Sequence, residues 1–329
     1  MKVDVILVSY NQERYIDQAI ESVLMQQVDS DLQIRVVIAD DCSSDKTLEK
    51  IRLYEERSSF PFIYLTETRN LGLAENYRRA FQAINADYFA ILEGDDYWID
   101  PYKLQKQVDY LESHQDVSIC STDCLIEIDG VRTEKGVMAS TNYKINQTNP
   151  LFENQYLANL TWLIRKDILQ YVNIPKDCVD IPLVLLYETC IHSKIDYIDD
   201  ITGVFRRHHG SVTNKNYLSY GKYYYDNNLF KLRLSYADKF PDVEDNKRRL
   251  FSDALVNIYP LAKMHKDIDT CESIRKYLCD KIDFDIYDSF ADIEIVKYKS
   301  MQSLLQSKAY RIGKKLMKPF YFVRDILTR

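Results

Sequence analysis

Short β-branched runs alternate with helical segments through the first 125 residues, and this alternation limits the fold more than any other feature of the chain. Apolar runs predict strands over 3–8, 34–39, 62–66, 88–92 and 117–121. The spacing between them predicts helices over about 13–27, 45–57, 74–84 and 101–113. V-D-V-I-L-V and Y-F-A-I-L run on without strict alternation, as in strands covered on both faces. Short strand–helix connections join parallel strands by crossovers. The expected architecture is α/β, a mainly parallel sheet flanked by helices.

On such a sheet, ligands bind at the carboxyl ends of the strands. The segments that follow the strands therefore carry the candidate site. They are Ser9-Tyr10-Asn11, Asp40 to Asp45, Glu67 to Gly72, and Glu93-Gly94-Asp95-Asp96-Tyr97-Trp98. Three acids within four positions repel one another, so a loop that holds them together needs a cation or several donors. Carboxylates suit Mg²⁺ or Mn²⁺, usually shared with a substrate phosphate. The ordinary alternative is a solvated acidic turn ahead of a helix, since Asp100-Pro101 reads as an N-cap and first helical residue. Asp40-Asp41-Cys42-Ser43-Ser44-Asp45 has a similar alternative, with Ser44 or Asp45 as a cap. Capping leaves Asp40, at the strand tip, unexplained. A carboxylate there can accept an N–H from a base such as uracil. Two aspartate-bearing turns on one sheet edge are the specific signal.

Composition narrows the function. The 43 basic and 50 acidic side chains give a formal charge of −7, against a general nucleic-acid binder, which needs a basic face. Glycine is scarce, and neither G-x-G-x-x-G nor G-x-x-x-x-G-K-[ST] is present, which weighs against a dinucleotide-binding or P-loop protein. The cysteines form no C-x-x-C pair, and Cys120 and Cys124 lack partners at zinc spacing. Reduced thiols in a cytoplasmic compartment are the expectation. The N-terminal apolar run is short for a signal peptide, and no stretch nears the roughly 18–20 apolar residues of a membrane span.

From 126 to 212 the pattern is mixed. It predicts a hairpin turn at Asp129-Gly130, strands near 160–164, 195–198 and 204–206, and a helix over 181–192. From 217 onward only helical periodicity remains, after a polar T-N-K-N stretch that marks a boundary near 214–216. The helical part is a candidate homodimer interface. Its final segment, 297–329, carries +8, whereas 1–296 carries −15. Leu305, Ile312, Leu316, Phe320, Val323 and Leu327 fall near one face there. A basic amphipathic helix of this kind suits an anionic membrane surface or, alternatively, the protein's own acidic body.

These motifs, in this order, resemble the inverting nucleotide-sugar glycosyltransferases of family 2, which have the GT-A fold. The resemblance runs through V-I-L-V-S-Y-N-Q-E-R-Y-I-D-Q-A-I-E-S-V-L-M-Q, V-V-I-A-D-D-C-S-S-D-K-T, N-L-G-L-A-E-N and Y-F-A-I-L-E-G-D-D-Y-W-I-D-P-Y-K-L. It continues in V-D-I-P-L-V-L-L-Y-E-T-C-I-H-S-K-I-D-Y-I-D-D-I-T-G-V-F-R-R-H-H-G-S-V-T, and covers roughly residues 3–213. It implies a GT-A domain over 1–214, with 1–125 for the nucleotide sugar and 126–214 for acceptor and catalysis, ahead of a helical region over 215–329.

By the resemblance, Ser9, Tyr10, Asn11 and Asp40 hold the base and ribose, and Asn76 borders the nucleotide. Asp95 and Asp96 stand in the acidic motif that binds ribose, diphosphate and a divalent Mn²⁺ or Mg²⁺. Glu93 occupies a position where the family often has Asp, and Gly94 gives the loop room. His208 matches the family's single metal-binding His, with His209 the weaker match. Arg206, next to Arg207, offsets the diphosphate charge. Asp180 aligns with the general base, although its ordinary role is an N-cap, and Val179 replaces a frequent Gly. The implied reaction is inverting transfer from a UDP-sugar to a glycan or lipid-linked glycan hydroxyl, at the inner face of a bacterial envelope. Two rivals are a nucleotidyltransferase, whose glycine- and lysine-rich phosphate loop is missing at 8–13, and a non-catalytic nucleotide-binding module, which needs no Asp180.

Overall fold

The parallel half of the sheet is built from β1 (Lys2–Ser9), β2 (Gln33–Asp40), β3 (Phe62–Tyr64) and β4 (Tyr88–Glu93). These coordinates are a computed structural model of the 329-residue chain, describing residues 1–65, 67–141, 145, 147–151, 157–208 and 220–278. Every residue of β1 after Lys2 is buried, including the acid in V-D-V. Asp4 is tolerated there because Arg35 Nε and Nη2 donate to its two oxygens at 2.8 and 2.7 Å, and Asn85 N adds a third bond at 2.8 Å.

The sheet continues with β5 (Tyr97–Trp98), β6 (Val117–Ile128), β7 (Val131–Arg132), β8 (Leu163–Arg165) and β9 (Lys194–Arg207). The order is β3-β2-β1-β4-β8-β6-β9-β5, with β7 paired to β6. Strand β8 is antiparallel to both β4 and β6, β9 runs parallel to β6, and β5 is antiparallel to β9. The result is a mixed, mostly parallel sheet. Asp129 and Gly130 both take positive φ, 50° and 84°, at the turn joining β6 to β7.

Helices α1 (Ile16–Leu24), α2 (Thr47–Glu55), α3 (Leu73–Ala83) and α4 (Lys103–Ser113) form the crossovers. Helix α1 buries Ile16, Ala19, Ile20 and Val23, an i, i+3, i+4, i+7 stripe, beside the core of β1 and β2. Each such Ile or Val contributes ~1.5–3 kcal/mol by leaving water. Helix α5 (Val137–Thr141) follows β7, and α6 (Ile181–His192) precedes β9. Beyond these lie α7 (Tyr220–Tyr236), α8 (Val243–Asn257), α9 (Tyr259–His265) and α10 (Ile268–Leu278).

Several element boundaries depart from the sequence expectation; β3 ends at Tyr64, and β8 starts only at Leu163, after a 3-10 turn over Asn159–Thr161. Helix α1 starts three residues later than the expected helix, because Tyr15 N donates to Gln12 O at 2.9 Å and residues 12–15 form a turn. Strand β6 runs on to Ile128 rather than ending at 121. Its partner β9 is one strand rather than two, and register irregularities near Ser121–Cys124 absorb its polar D-D-I-T centre.

The chain divides into two units, Met1–Asn214 with Lys231–Val243, and Lys215–Phe230 with Glu244–Arg329. In the first, buried Glu188 on α6 accepts bonds from Tyr236 Oη at 2.6 Å and Lys239 Nζ at 3.2 Å. Tyr187 packs on Tyr236 and Phe240, with ring centroids at 4.9 and 5.8 Å. In the second, Asp267 caps α10 through Thr270 N at 3.0 Å and accepts from Tyr223 Oη at 2.5 Å. The expected boundary at 214–216, His209 and the basic segment 297–329 lie outside the described residues. Among the described residues, no helix is long and apolar enough to cross a membrane.

Lys103 is fully buried on α4, where its Nζ donates to Gln107 Oε1 at 2.6 Å and lies 4.6 Å from the Trp98 ring centroid. Burial pulls its pKa down to about 7. An unfolded chain keeps that amine protonated up to about pH 10.4. The folded state therefore carries the full penalty below about pH 7 and sheds it as pH rises toward the unfolded value. Lys103→Met is expected to stabilise the protein by ~1–3 kcal/mol at pH 7, with a smaller gain at pH 10. Denaturant melts at the two pH values check both the sign and the trend.

Candidate functional site

Register brings the two acidic turns together. Ser9 of β1 pairs with Asp40 of β2, and Val8 pairs with Glu93 of β4. The tips of three neighbouring parallel strands are thus level, and the Asp40 and Glu93 turns flank the end of β1 on one edge of the sheet.

On the β2 side, Asp40 is 2% exposed. Its Oδ1 accepts from Ser9 Oγ at 2.9 Å and Ser43 Oγ at 2.6 Å, and its Oδ2 accepts from Ser43 N at 2.8 Å. Asp40 thus ties the β1 and β2 tips together. Asn11 adopts φ 53°, and its Oδ1 accepts from Ser44 N at 2.8 Å, locking the same two loops. Tyr10 projects at 49% exposure. Asp41 fixes the next loop, accepting from Leu71 N at 2.7 Å and Gly72 N at 2.9 Å. Asn76 is buried, with its Nδ2 on Ala39 O at 2.8 Å and its Oδ1 accepting from Arg79 Nε at 2.9 Å. Ser9, Asp40 and Asn76 are buried at this edge, and Tyr10 is exposed on it.

On the β4 side, Glu93 Oε1 accepts from Tyr77 Oη at 3.0 Å and Asn159 Nδ2 at 3.4 Å. Burial, then the neighbouring Asp95 charge, raises the Glu93 carboxyl to about 7. A Cβ on Gly94 would lie 2.3 Å from Gln12 Oε1 and 2.9 Å from Ile16 Cδ1, so any larger residue there displaces the Gln12 side chain that bonds Asp95. Asp95 faces two partners: Gln12 Nε2 donates to Oδ1 at 3.1 Å, and His208 Nε2 lies 3.0 Å from Oδ2. Asp96 points inward and is 1% exposed. Its Oδ1 accepts from Arg206 N at 2.7 Å, and its Oδ2 is buried without a hydrogen-bond partner. Burial, then the Asp95 and Glu93 charges, pushes its carboxyl well above the carboxylate range.

Arg206 lies behind this turn. Its Nε donates to Glu127 Oε1 at 2.8 Å, Nη1 to Asp95 O at 2.5 Å and Nη2 to Gln18 Oε1 at 2.5 Å. The crowded acids, with one buried oxygen of Asp96 unpaired, fit a cation supplied from outside. Asp95 and His208 are the more exposed groups here, at 15% and 17% of their side chains, whereas Asp96 is enclosed. Among the described residues no group of three or more His, Cys, Asp or Glu side chains is arranged around one metal position. Two protein ligands completed by substrate oxygens is the pattern such a pair suits.

Asp180 is the N-cap of α6, with Oδ1 accepting from Leu183 N at 3.1 Å and Pro182 in the first turn. Its charge also helps raise the pKa values of Glu93 and Tyr77, so it stands within electrostatic reach of the acidic turn. Sequence reasoning gave Gln12, Tyr77, Glu127 and Asn159 no role in the site. Gln12 sits inside the Y-N-Q-E motif, which was its only signal; the others are recruited from afar.

Paired acidic turns on one edge of a mixed, mostly parallel sheet flanked by helices are the layout of a GT-A type fold. The sequence model of glycosyl transferase family 2 matches residues 4–172, and the chain belongs to that family of glycosyltransferases. It is 29% identical over 221 residues to the uncharacterized protein Rv1520 of Mycobacterium tuberculosis, covering 67% of this chain and 63% of that protein. The chain therefore spans less than two thirds of the length of that relative. Among solved structures, TarS 1-349 of S. aureus in complex with UDP-GlcNAc gives a TM-score of 0.54 at 15% identity, covering 85% of this chain and 92% of that one. The mannosyltransferase PcManGT of Pyrobaculum calidifontis in complex with GDP-Man and Mn²⁺ gives 0.55 at 16%, covering 96% and 84%. Both share the fold.

Proposed function

We propose that this chain transfers a sugar from a UDP-sugar to a hydroxyl of a glycan or lipid-linked glycan, inverting the anomeric centre. The observation that carries the reading is the level edge of β1, β2 and β4. It sets the Ser9–Asp40 pair beside an acidic turn whose Asp95 lies 3.0 Å from His208. Residues 1–125 take the donor and 126–214 the acceptor in this reading. TarS with UDP-GlcNAc and PcManGT with GDP-Man and Mn²⁺ support a nucleoside diphosphate sugar as the donor class.

Tyr10 offers an exposed ring to the base, while Ser9, Asn11 and Asp40 keep the loops beneath it rigid. Asp95 and His208 would hold a divalent cation, Mn²⁺ or Mg²⁺, which when bound offsets the negative charge gained by the leaving diphosphate. Asp180 accepts the proton of the acceptor hydroxyl as that oxygen attacks C1. The C1–O bond to the diphosphate breaks in the same displacement, and UDP leaves. Asp96 and Arg206 hold the turn in shape rather than touching the donor. The N-cap bond to Leu183 N holds the Asp180 carboxylate in one orientation.

A donor screen with purified protein tests this. With acceptor and Mn²⁺, one UDP-sugar is expected to release UDP in step with glycan product. Pyrophosphate release instead would favour nucleotidyl transfer, and binding without turnover of any donor would favour a non-catalytic module.

A further inference from the structure

The His208 imidazole begins a series of packed rings and guanidinium groups that ends at Arg132. The Tyr15 ring lies 4.5 Å from it, centroid to centroid, tilted by 36°. The Arg206 guanidinium sits 4.9 Å from the Tyr15 centroid and 4.8 Å from that of Tyr97. Arg132 lies over Tyr97 at 5.2 Å. From Tyr15 onward ring and guanidinium alternate as far as the half-exposed Arg132, contacts favoured by the ring quadrupole.

Arg206 is fixed within this series. Its three side-chain nitrogens donate to Glu127, Asp95 O and Gln18, and its backbone N donates to Asp96 Oδ1. Glu127 is held in turn by Tyr97 Oη at 2.8 Å and Arg132 Nε at 3.2 Å. One guanidinium therefore touches the backbone of the acidic turn and the ring that packs on His208. A diphosphate contact, the role the resemblance implied for Arg206, is not what this geometry favours.

We propose that Tyr15 and Arg206 are positioning residues for the cation-binding pair. The Tyr15 face sets the plane of the His208 ring. Arg206 holds both Tyr15 and the Asp95 carbonyl, so the two ligands meet in a fixed relation before the cation arrives. This rests on the reading that Asp95 and His208 bind a divalent cation. Partners that orient a metal-binding His typically govern about 10–100-fold in metal affinity.

Calorimetric titration of Mn²⁺ into the full chain saturated with UDP tests the proposal. Tyr15→Phe keeps the ring and is expected to stay within about twofold of wild type. Tyr15→Leu keeps bulk but loses the π face, and is expected to weaken Mn²⁺ binding by about 10–100-fold. Arg206→Lys keeps the charge but loses the planar fork, and falls in the same direction. Arg132→Gln, at the exposed end of the series, is expected to stay within about twofold. Circular dichroism and metal-free UDP affinity are expected to match wild type in all four. Wild-type Mn²⁺ affinity in both Tyr15→Leu and Arg206→Lys overturns the proposal, as does an equal loss in Tyr15→Phe and Tyr15→Leu. A wild-type protein that takes up no Mn²⁺ beside UDP removes the cation reading, and the proposal with it. Binding by the wild type with unaltered variants removes the proposal alone.

Discussion

Asp180→Asn is expected to lower sugar transfer by about 10²–10⁴-fold, the usual worth of a positioned general base, while UDP binding stays near wild type. The contrast follows from where Asp180 sits. It caps α6 through Leu183 N, whereas the β1 and β2 tips proposed to hold the nucleotide are tied together by Ser9 and Asp40. Asparagine keeps an oxygen for that cap, and Asn is as good an N-cap as Asp, so the helix start survives. What disappears is the negative charge and the capacity to take a proton from an acceptor hydroxyl. Initial rates with a fixed donor, paired with calorimetric UDP binding, separate the two effects. Equal rates for variant and wild type would rule out Asp180 as the base. Loss of UDP affinity together with rate would point to a collapsed site.

The second large effect is expected at Asp95. Asp95→Ala removes one of the two candidate cation ligands and leaves His208 alone. A cation on a leaving phosphate stabilises the transition state by several kcal/mol. At about 1.4 kcal/mol per tenfold, the expected fall is roughly 10²–10⁴ in rate. Unlike Asp180→Asn, this variant is expected to lose the Mn²⁺-dependent part of UDP binding as well. Asp96→Asn makes the informative comparison. Asp96 is enclosed, takes Arg206 N on one oxygen and has a carboxyl pushed toward its neutral form. Its amide isostere is expected to keep Mn²⁺ affinity closer to wild type than Asp95→Ala does. The opposite ranking, with Asp96→Asn the more damaging to Mn²⁺ affinity, would reassign the ligand.

The parts of this site that sequence disclosed are those carried by contiguous strings. The V-I-L-V-S-Y-N, A-D-D-C-S-S-D and E-G-D-D-Y-W runs each end a strand, so their place on one sheet edge follows from topology alone. The direction each side chain takes was hidden. Nothing in D-D-C-S-S says that Ser9 and Ser43 engage both oxygens of Asp40. The adjacency Asp95-Asp96 looks symmetrical, yet a turn of this tightness sends one carboxylate out to His208 and the other in to the Arg206 backbone. Arg206 looked like an anion contact because charged residues at strand ends usually are. Its inward course depends on Glu127 and Gln18, far apart in sequence, arriving beside it. Strand β9 escaped because its hydrophobic run is broken by D-D-I-T, and pairing with β6 supplied the order that local propensity lacks.

The segment Lys231–Val243 returns to the first unit and supplies Tyr236, Lys239 and Phe240 to α6. During synthesis, the buried Glu188 of α6 must wait for partners that lie 48 and 51 residues further along the chain, Tyr236 and Lys239. Completion of the first unit is therefore a late event on the ribosome, and a nascent chain stopped at residue 214 lacks the Tyr236 and Lys239 donors to Glu188 and the rings that cover Tyr187.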